Sequence, residues 1–342
     1  MKLISFAIPS YNSEKYLRHC VDTILSGGED VEIIIVNDGS KDGTAAIADE
    51  YVCKYPTIVK AVHKPNGGHG SGVNRGVQDA TGLYYKVVDS DDWVDEAALK
   101  KLLDTIKEHL TAGTEPDLYI TNFIYDHVQD QTQFLRHWKK HFPENSFCDW
   151  SETGRFRGAQ VLLMHSLMYK TEVLRSSDTV LPEHTFYVDN YFAYKPLPHM
   201  KKIFYLNVDL YHYFIGRDDQ SVNIRNFTRR YDQQIRVMRL MADAYSYSEI
   251  MAMDKGLRKY MLHCLGAIMM NTMLFCCGGG DDEKRRLEHQ QMWDHIKQND
   301  PGMYRYLTRR GLPATVKWMP WKIRGFFMVF GYKVLCKFVK LG

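Results

Sequence analysis

Three aspartates within four positions stand out in VVDSDDWVDE, residues 87–96. Asp89, Asp91 and Asp92 follow an apolar run, and like charges packed this closely repel one another. One aspartate here would be explained as a helix cap, because Asp92 or Asp95 suits the start of the next helical segment. Asp89 and Asp91, one residue apart at a strand's end, instead favour a divalent cation such as Mg²⁺ or Mn²⁺. Such an ion shares its coordination with substrate phosphates and neutralises charge on a departing phosphate oxygen, so the cluster predicts a diphosphate substrate.

A second aspartate motif, VNDGSKDGT (residues 36–44), also follows an apolar run. Ser40 or Asp42 can cap the helix that follows, since Asp-Gly-Ser forms a turn. That leaves Asp38 at the tip of the strand, where a buried carboxylate could accept N–H bonds from a nucleobase. The glycine-rich PNGGHGSGVNRG (residues 65–76) matches neither a Walker loop nor a clean dinucleotide fingerprint, and by itself predicts only a mobile turn.

Short apolar runs alternate with helix-patterned segments through the first half of the chain. The runs are unbroken rather than alternating, which is typical of strands buried on both faces of a sheet. The apolar positions between them repeat at helical spacing. This order predicts an α/β domain with a mainly parallel sheet. The predicted strands cover residues 3–8, 31–36, 58–63, 83–88 and 117–125.

Polar turns follow the first four predicted strands, with the sequences PSYN, NDGS, KPNGG and DSDD. In a parallel sheet the carboxyl ends of the strands share one edge, and ligands bind there where the strand order reverses. We therefore expect the four turns to line one crevice. Residues 126–225, which are rich in aromatic side chains, would complete the pocket, and a helical pattern begins at about residue 226.

The composition limits the classes of partner. The 342 residues include 44 basic and 41 acidic ones, and this near balance predicts no nucleic-acid partner. Seven cysteines without a C-x-x-C pair argue against a disulfide framework or a zinc site and favour a reducing cytoplasm. The first apolar run is too short for a signal peptide, and we expect no stretch that reaches the roughly 18 apolar residues of a membrane span.

The four turn motifs, in their order and at their separations, resemble the successive signatures of glycosyltransferase family 2. They are PSYN, VNDGSKDGT, NGGHGSGVNRG and VDSDDW, within about the first 100 residues. Each is weak by itself, whereas four in order are specific. The resemblance implies a GT-A nucleotide-sugar-binding fold, with the catalytic domain over residues 1–225 and a helical C-terminal region over residues 226–342.

The resemblance also implies roles for residues that match the family's motifs. Pro9 and Tyr11 would border the nucleotide base, typically uracil, and Asp38 would bond its edge. Gly68 and Asn74 would belong to the loop and helix that flank the nucleotide. The donor implied is therefore a UDP-sugar.

The aspartate cluster corresponds to the family's D-x-D element. Asp89 would approach the ribose and Asp91 would bind the metal, Mn²⁺ or Mg²⁺, while two registers leave open whether Asp92 shares it. Further along, LYHYFIGRDDQSVN resembles the segment that closes the catalytic domain in many members. Arg217 is expected to clamp the diphosphate with its forked guanidinium. His212 is a further metal candidate, although a histidine among tyrosines is more often a core residue.

Family members invert the sugar carbon, using a carboxylate that deprotonates the acceptor hydroxyl. The expected base is Asp189 in HTFYVDNYFAY (residues 184–194). The family often has Glu immediately before this residue, whereas this chain has Val188. Glu183 and Asp178 therefore remain as lesser alternatives, and Asp189 could also cap the helix that follows it.

The tail, residues 317–342, contains six basic residues, no acidic ones and two tryptophans. Lys333, Lys337 and Lys340 share one helical stripe, with apolar residues around the rest of the turn. A basic amphipathic segment of this kind suits the surface of an anionic membrane. The alternative is a helix packed on the body of the protein with its lysines outward. We expect a cytoplasmic protein that associates with the inner face of the plasma membrane.

Together these features predict an inverting, metal-dependent glycosyltransferase that acts on a surface-glycan or lipid-linked acceptor. An alternative is a catalytically silent nucleotide-sugar sensor or scaffold, for which Val188 leaves room. A nucleotidyltransferase is disfavoured, because PSYNSEKY (residues 9–16) is not the glycine-rich basic loop that a triphosphate requires. The donor sugar, the linkage and the oligomeric state are not determined by the sequence.

Overall fold

The structure is a computed structural model that describes residues 1–127, 131–215, 224–280 and 282–339. It confirms the predicted α/β class, with strands and helices alternating through the first half. The strands are β1 (Ile4–Ser10), β2 (Val31–Asp38), β3 (Val59–Lys64), β4 (Tyr84–Val87), β5 (Trp93–Val94), β6 (Leu118–His127), β7 (Thr132–Arg136), β8 (Ser146–Cys148), β9 (Leu167–Lys170) and β10 (Ile203–Ile215). The helices of this half are α1 (Leu17–Leu25), α2 (Thr44–Lys54), α3 (His69–Asp79), α4 (Glu96–Ala112), α5 (Thr171–Ser176) and α6 (Val188–Tyr194).

The strands form one sheet in the order β3-β2-β1-β4-β9-β6-β10-β5, with β7 beside β6 and β8 beside β10. Parallel pairing joins β3 to β2, β2 to β1 and β1 to β4. The later strands pair antiparallel, as β9 does with both β4 and β6. Every residue of β1 and β2 is buried, as their unbroken apolar runs predicted. The strand order reverses between β1 and β4, which creates a topological switch point at their carboxyl ends.

The chain divides into two units, each with its own internal packing. The first comprises Met1–Asp149 and Leu162–Phe214, and the second comprises Trp150–Val161 and Ile215–Gly342. The predicted boundary after residue 225 therefore falls within the second unit, and the short segment at 150–161 belongs to the helical unit as well. The sequence does not show that this segment belongs to the helical unit, because only packing holds it there. Its backbone approaches Gly256 so closely that a Cβ at Gly256 would overlap the Trp150 carbonyl.

The second unit is helical, as predicted. Its helices are α7 (Ile224–Arg229), α8 (Tyr231–Asp243), α9 (Tyr247–Ala252), α10 (Lys255–Gly278), α11 (Glu283–Asn299), α12 (Pro301–Arg309) and α13 (Trp321–Val339). Among the described residues, α10 alone is long and apolar enough to cross a membrane, so the expectation of no such stretch was wrong. However, 72% of its apolar window is buried inside the protein, and α8 and α13 pack against it. A helix that is apolar on most sides and buried is what the core of a helical unit requires.

Candidate functional site

The polar turns meet at the carboxyl edge of the parallel strands, next to the switch point. The turn after β1 contacts the turn after β4, with the hydroxyls of Ser13 and Ser90 2.7 Å apart. It also contacts the turn after β2, because the Asn12 amide donates to the Ser40 hydroxyl over 3.0 Å. The structure therefore brings the four motifs together at one edge, which is what the sequence predicted.

Asp38 lies at the tip of β2 with only 3% of its surface exposed. Its Oδ1 accepts from Lys64 Nζ (2.6 Å) and the Gly67 amide (2.9 Å), and its Oδ2 accepts from Asn66 Nδ2 (3.0 Å) and the Gly68 amide (2.7 Å). These four bonds fill the lone-pair positions of a carboxylate. The predicted buried carboxylate is present, but its N–H donors belong to the glycine-rich segment of the protein.

The glycine-rich segment leads into α3 and is held close to the rest of the site. Gly68 precedes the helix with φ of +83°, a conformation that favours glycine. A Cβ at Gly68 would lie 3.1 Å from the His184 amide nitrogen, and a Cβ at Gly72 would lie 2.9 Å from Cβ of Pro9. Pro9 is therefore buried against α3, whereas Tyr11 is 51% exposed at the same edge.

The same helix holds the segment that precedes α6. Asn74 donates through Nδ2 to the Leu181 carbonyl (2.8 Å) and accepts through Oδ1 from the Leu181 amide (2.9 Å). The Gly67 carbonyl accepts from the His184 amide over 2.7 Å. Ser71 donates to Oε1 of Glu183 (3.3 Å). The glycine-rich segment and α3 thus position the distant segment that carries the expected base.

Asp189 lies in the first turn of α6, just after Tyr187, which adopts a left-handed conformation with φ of +66°. Burial raises the pKa of its carboxyl above the ordinary value, although His69 opposes this by lowering the pKa. Of the two alternatives, Glu183 is exposed and accepts from Ser71 of α3, and Asp178 is exposed just after α5.

His69, the first residue of α3, connects the two acidic parts of the site. Its Nε2 lies 2.7 Å from Oδ1 of Asp89, whose side chain is 25% exposed. Burial lowers the pKa of His69, but Asp89, Asp189 and Asp91 outweigh it and raise the pKa above its ordinary value. Conversely, burial raises the pKa of Asp89, but the imidazole outweighs it and lowers the pKa. The His69 imidazole therefore offsets part of the repulsion among the aspartates.

Asp92 is buried and is held by the last strand of the sheet. The Tyr211 hydroxyl donates to its Oδ2, and the Phe214 amide donates to its Oδ1 over 2.9 Å. Burial, followed by the charges of Asp91 and Asp89, raises the pKa of Asp92 well above its ordinary value. Asp91 is half-buried beside these groups. The three carboxylates are therefore close enough for their charges to interact, and their mutual repulsion favours a bound cation.

Asp89 and Asp92 are close enough to His165 for the three to hold one metal ion, since their ligand atoms lie within 4.8 Å of one another. His165 is only 6% exposed, its Nδ1 has no hydrogen-bond partner, and burial lowers its pKa to about 4. A neutral imidazole with an unpartnered nitrogen is a competent metal ligand. Two carboxylates suit Mn²⁺ or Mg²⁺, and the added imidazole favours Mn²⁺ over the harder Mg²⁺, so the residues present fit a predicted metal.

The other metal candidate from the sequence lies outside this cluster. His212 bonds Asp126 through Nδ1 (2.9 Å), and its ring stacks on Trp93 with centroids 5.1 Å apart. These two contacts account for the position of His212 in β10 without a metal ion. Arg217, the predicted diphosphate clamp, lies outside the described residues.

Sequence reasoning missed His69, His165 and two residues that support the cluster. Tyr211 bonds Asp92, and Lys86 donates through Nζ to the His165 carbonyl over 2.6 Å. Burial lowers the pKa of Lys86 to about 7. A lysine within the apolar run LYYKVV was the available signal, since a buried charged residue in a central strand requires a partner. Tyr211 lies within LYHYFIGRDDQSVN, where the resemblance gave it no role of its own, and His165 has no comparable signal in the sequence.

Comparisons with known proteins agree with this geometry. Residues 5–168 match the sequence profile of "Glycosyl transferase family 2". The "Putative glycosyltransferase EpsH" of Bacillus subtilis is 27% identical over 241 residues, 68% of this chain and 64% of that protein. The "Minor teichoic acid biosynthesis protein GgaB" of the same organism is 37% identical over 108 residues, 31% of this chain and 12% of that protein. The matches thus span less than two thirds of these relatives.

Among solved structures, that of S. aureus TarS residues 1–349 in complex with UDP-GlcNAc superimposes with a TM-score of 0.67. The match covers 97% of this chain and 92% of the other, at 21% sequence identity. At that identity the match establishes a common fold.

Proposed function

Because residues 5–168 match the profile of glycosyl transferase family 2, we propose that the chain transfers a sugar from a UDP-sugar to an acceptor hydroxyl with inversion at the sugar carbon. The observation that carries this proposal is the junction at His69. At this junction the charge of His69 acts on both the expected base, Asp189, and Asp89 of the expected diphosphate site, which supports the proposal. A displacement reaction requires both groups around one reacting carbon.

The donor is proposed from the strand-edge motifs. Pro9 and Tyr11 would border the base, and the 51% exposure of Tyr11 supports this role for Tyr11. Asp38 would bond the base only after releasing one of its four protein donors, so its first role is to shape the turn at Gly67 and Gly68. The UDP-GlcNAc bound by TarS, which has the same fold, supports a uridine donor.

A divalent metal, Mn²⁺ or Mg²⁺, would be held by Asp91, the expected ligand, with Asp89, Asp92 and His165 close enough together to share it. When bound, it supplies a Lewis acid that neutralises charge on the departing diphosphate. The protein's own contribution is to orient these ligands. Tyr211 holds Asp92, and Lys86 holds the backbone of His165.

Asp189 is proposed as the general base. As the acceptor oxygen bonds the sugar carbon, the bond from that carbon to the diphosphate oxygen breaks, and the acceptor proton passes to Asp189. A carboxylate with a raised pKa is a stronger base for this step. The neighbouring His69 charge lowers the pKa of Asp189 and so favours its ionised form before the proton arrives.

The acceptor is proposed to be a surface glycan or its lipid-linked precursor. GgaB is named for minor teichoic acid biosynthesis, and this name supports the assignment by analogy. The six cysteines whose side chains the structure describes are free thiols, which fits a reducing compartment such as the cytoplasm.

The test is binding and hydrolysis of a panel of UDP-sugars by the purified protein, with and without Mn²⁺. We expect turnover of one sugar only with metal, loss of donor binding in Asp91→Ala, and binding without turnover in Asp189→Asn. Asp178→Asn serves as the matched control, since this carboxylate is exposed and lies at the end of α5.

The outcomes separate the alternatives. Full turnover by Asp189→Asn would remove its assignment as the base. Donor binding by the wild type, without turnover when a hydroxyl acceptor is supplied, would favour the nucleotide-sugar sensor. If no UDP-sugar bound, the uridine assignment would be wrong.

A further inference from the structure

Exposed apolar side chains are concentrated near the C-terminal helix. Among the described residues, thirteen large apolar side chains are exposed, and five of them lie between positions 318 and 330. They are Trp318, Ile323, Phe326, Phe327 and Phe330, with exposed fractions from 49% to 75%. Single exposed apolar residues are ordinary, whereas a contiguous patch indicates an interaction surface. We call these five residues the aromatic face.

The opposite side of α13 is already buried in the helical unit. Arg324 is only 8% exposed, and a Cβ at Gly325 would lie 2.7 Å from the Cys277 carbonyl of α10. Further along, a Cβ at Gly278 would lie 3.2 Å from Cγ2 of Val329. The packing of α13 on α10 therefore accounts for one side of the helix only. The aromatic face is not needed to hold the helix in place.

The aromatic side chains form one continuous surface. At 3.6 residues per turn, Ile323, Phe326, Phe327 and Phe330 project from the same half of the helix. The rings of Phe326 and Phe330 are stacked with centroids 6.4 Å apart, and those of Phe326 and Phe327 meet edge to face at 5.7 Å. Trp318, also exposed, lies three residues before the helix begins.

Basic residues flank this surface along one edge. Lys322 and Lys333 are exposed and, by helical phase, lie next to Phe326. Lys317 is not part of the edge, because its ammonium lies over the rings of Trp293 (3.9 Å) and Tyr304 (4.3 Å). Residues 317–342 contain six basic residues and no acidic ones.

We propose that the aromatic face of α13 docks the protein on the surface of an anionic lipid bilayer. The phenylalanines would enter the boundary between headgroups and acyl chains, while the lysines contact anionic headgroups. A second copy of the chain is disfavoured as the occupant, because two segments without acidic residues would repel each other. The contact is made by a helix lying on the surface, since α10, the helix long enough to span, is buried in the core.

The test is flotation of the full chain with vesicles made of equal parts phosphatidylglycerol and phosphatidylcholine, and with vesicles of phosphatidylcholine alone. We expect strong binding to the anionic vesicles, weak binding to the neutral ones, and weaker binding as salt is added. Trp318, at 75% exposure, should shift its fluorescence to the blue on binding, and Trp318→Phe identifies that signal.

Paired variants assign the binding surface. The double variant Phe326→Ser/Phe330→Ser should bind at least about tenfold more weakly, because it removes two buried rings from the bilayer. Lys322→Glu/Lys333→Glu should lose the preference for anionic vesicles. Leu287→Ser is the matched control, since this leucine is 56% exposed on another helix, α11. Circular dichroism confirms that each variant is folded.

Several results would overturn the proposal. Absence of wild-type binding to anionic vesicles would do so, as would unchanged binding by Phe326→Ser/Phe330→Ser. A concentration-dependent dimer that this double variant abolishes, without vesicle binding, would assign the face to a second copy. The proposal is separable from the proposed reaction, because the variants should retain donor hydrolysis in solution.

Discussion

Nε2 of His69 lies 2.7 Å from Oδ1 of Asp89, so the first residue of α3 is joined to the turn that follows β4. The imidazole also lowers the pKa of Asp189, in the first turn of α6. One side chain thus couples a carboxylate of the expected diphosphate site to the expected base. The charge of His69 should therefore control both groups.

The first prediction concerns this charge. His69→Gln retains an N–H that can donate to Asp89 but removes the positive charge. Because that charge lowers the pKa of Asp189, the pKa should rise in the variant, and Asp189 should stay protonated to higher pH. The acidic limb of the kcat/KM profile for the UDP-sugar should therefore move to higher pH.

The matched control is His63→Gln, because His63 lies in β3 and pairs with Asp49. Its pH profile should coincide with that of the wild type. An unchanged acidic limb in His69→Gln would show that the imidazole does not set the ionisation of the base.

The second prediction concerns Asn74, which bonds both backbone groups of Leu181. Asn74→Ala should lower the free energy of unfolding by about 1–3 kcal/mol, since two hydrogen bonds are lost. It should also reduce kcat more than donor affinity, because Leu181 opens the segment that leads to Asp189. Urea unfolding and donor titration measure the two effects. Gln78→Ala, exposed on the same helix, should change neither, and equal losses in both variants would contradict the role of Asn74.

The third prediction separates backbone strain from close contact at Gly68. Gly68→Ala places a Cβ in a left-handed conformation and 3.1 Å from the His184 amide nitrogen. We expect it to cost about 1–3 kcal/mol of unfolding free energy. Gly28→Ala has φ of +57° with nothing within 4 Å, so it should cost only about 1 kcal/mol from backbone strain. Thermal or urea unfolding measures both variants. If they lost the same unfolding free energy, the backbone at His184 would have moved aside to accommodate the added Cβ.

The fourth prediction concerns a buried carboxylate away from the site. Glu32 in β2 accepts from Ser5, Lys60 and Thr81 with a side chain only 3% exposed. Burial raises its pKa, but these donors outweigh burial and lower the pKa below the ordinary 4.5. A carboxyl whose pKa is lower in the folded state stabilises the fold when the pH is above its unfolded-state pKa. This stabilisation is lost as the pH falls through the folded-state pKa.

Glu32→Gln should therefore destabilise the protein by about 1–3 kcal/mol at neutral pH, and by progressively less as the pH falls below 4.5. Urea unfolding across this pH range provides the measurement. Glu29→Gln, whose carboxylate is 71% exposed, is the control and should show no measurable change. If Glu32→Gln lost the same unfolding free energy at every pH, Glu32 would act through packing and not through its charge.

The sequence by itself determined the local elements and their order. Unbroken apolar runs such as VEIIIV predicted strands that are buried throughout, and the alternation with helices predicted the α/β class. The polar turns after four strands predicted one ligand edge. These inferences succeed because hydrophobic periodicity and turn chemistry are properties of neighbouring residues. The order of four motifs then indicated the family.

Only the tertiary structure decided which polar groups pair. It gave Asp38 four donors from its own glycine-rich segment, placed His69 against Asp89, and brought His165 to the aspartate cluster. It also exposed Phe326 and Phe330 of α13, where sequence alone allowed either packing or a membrane surface. The physical reason is that a buried polar group must find its partner in space, and that partner can lie anywhere along the chain.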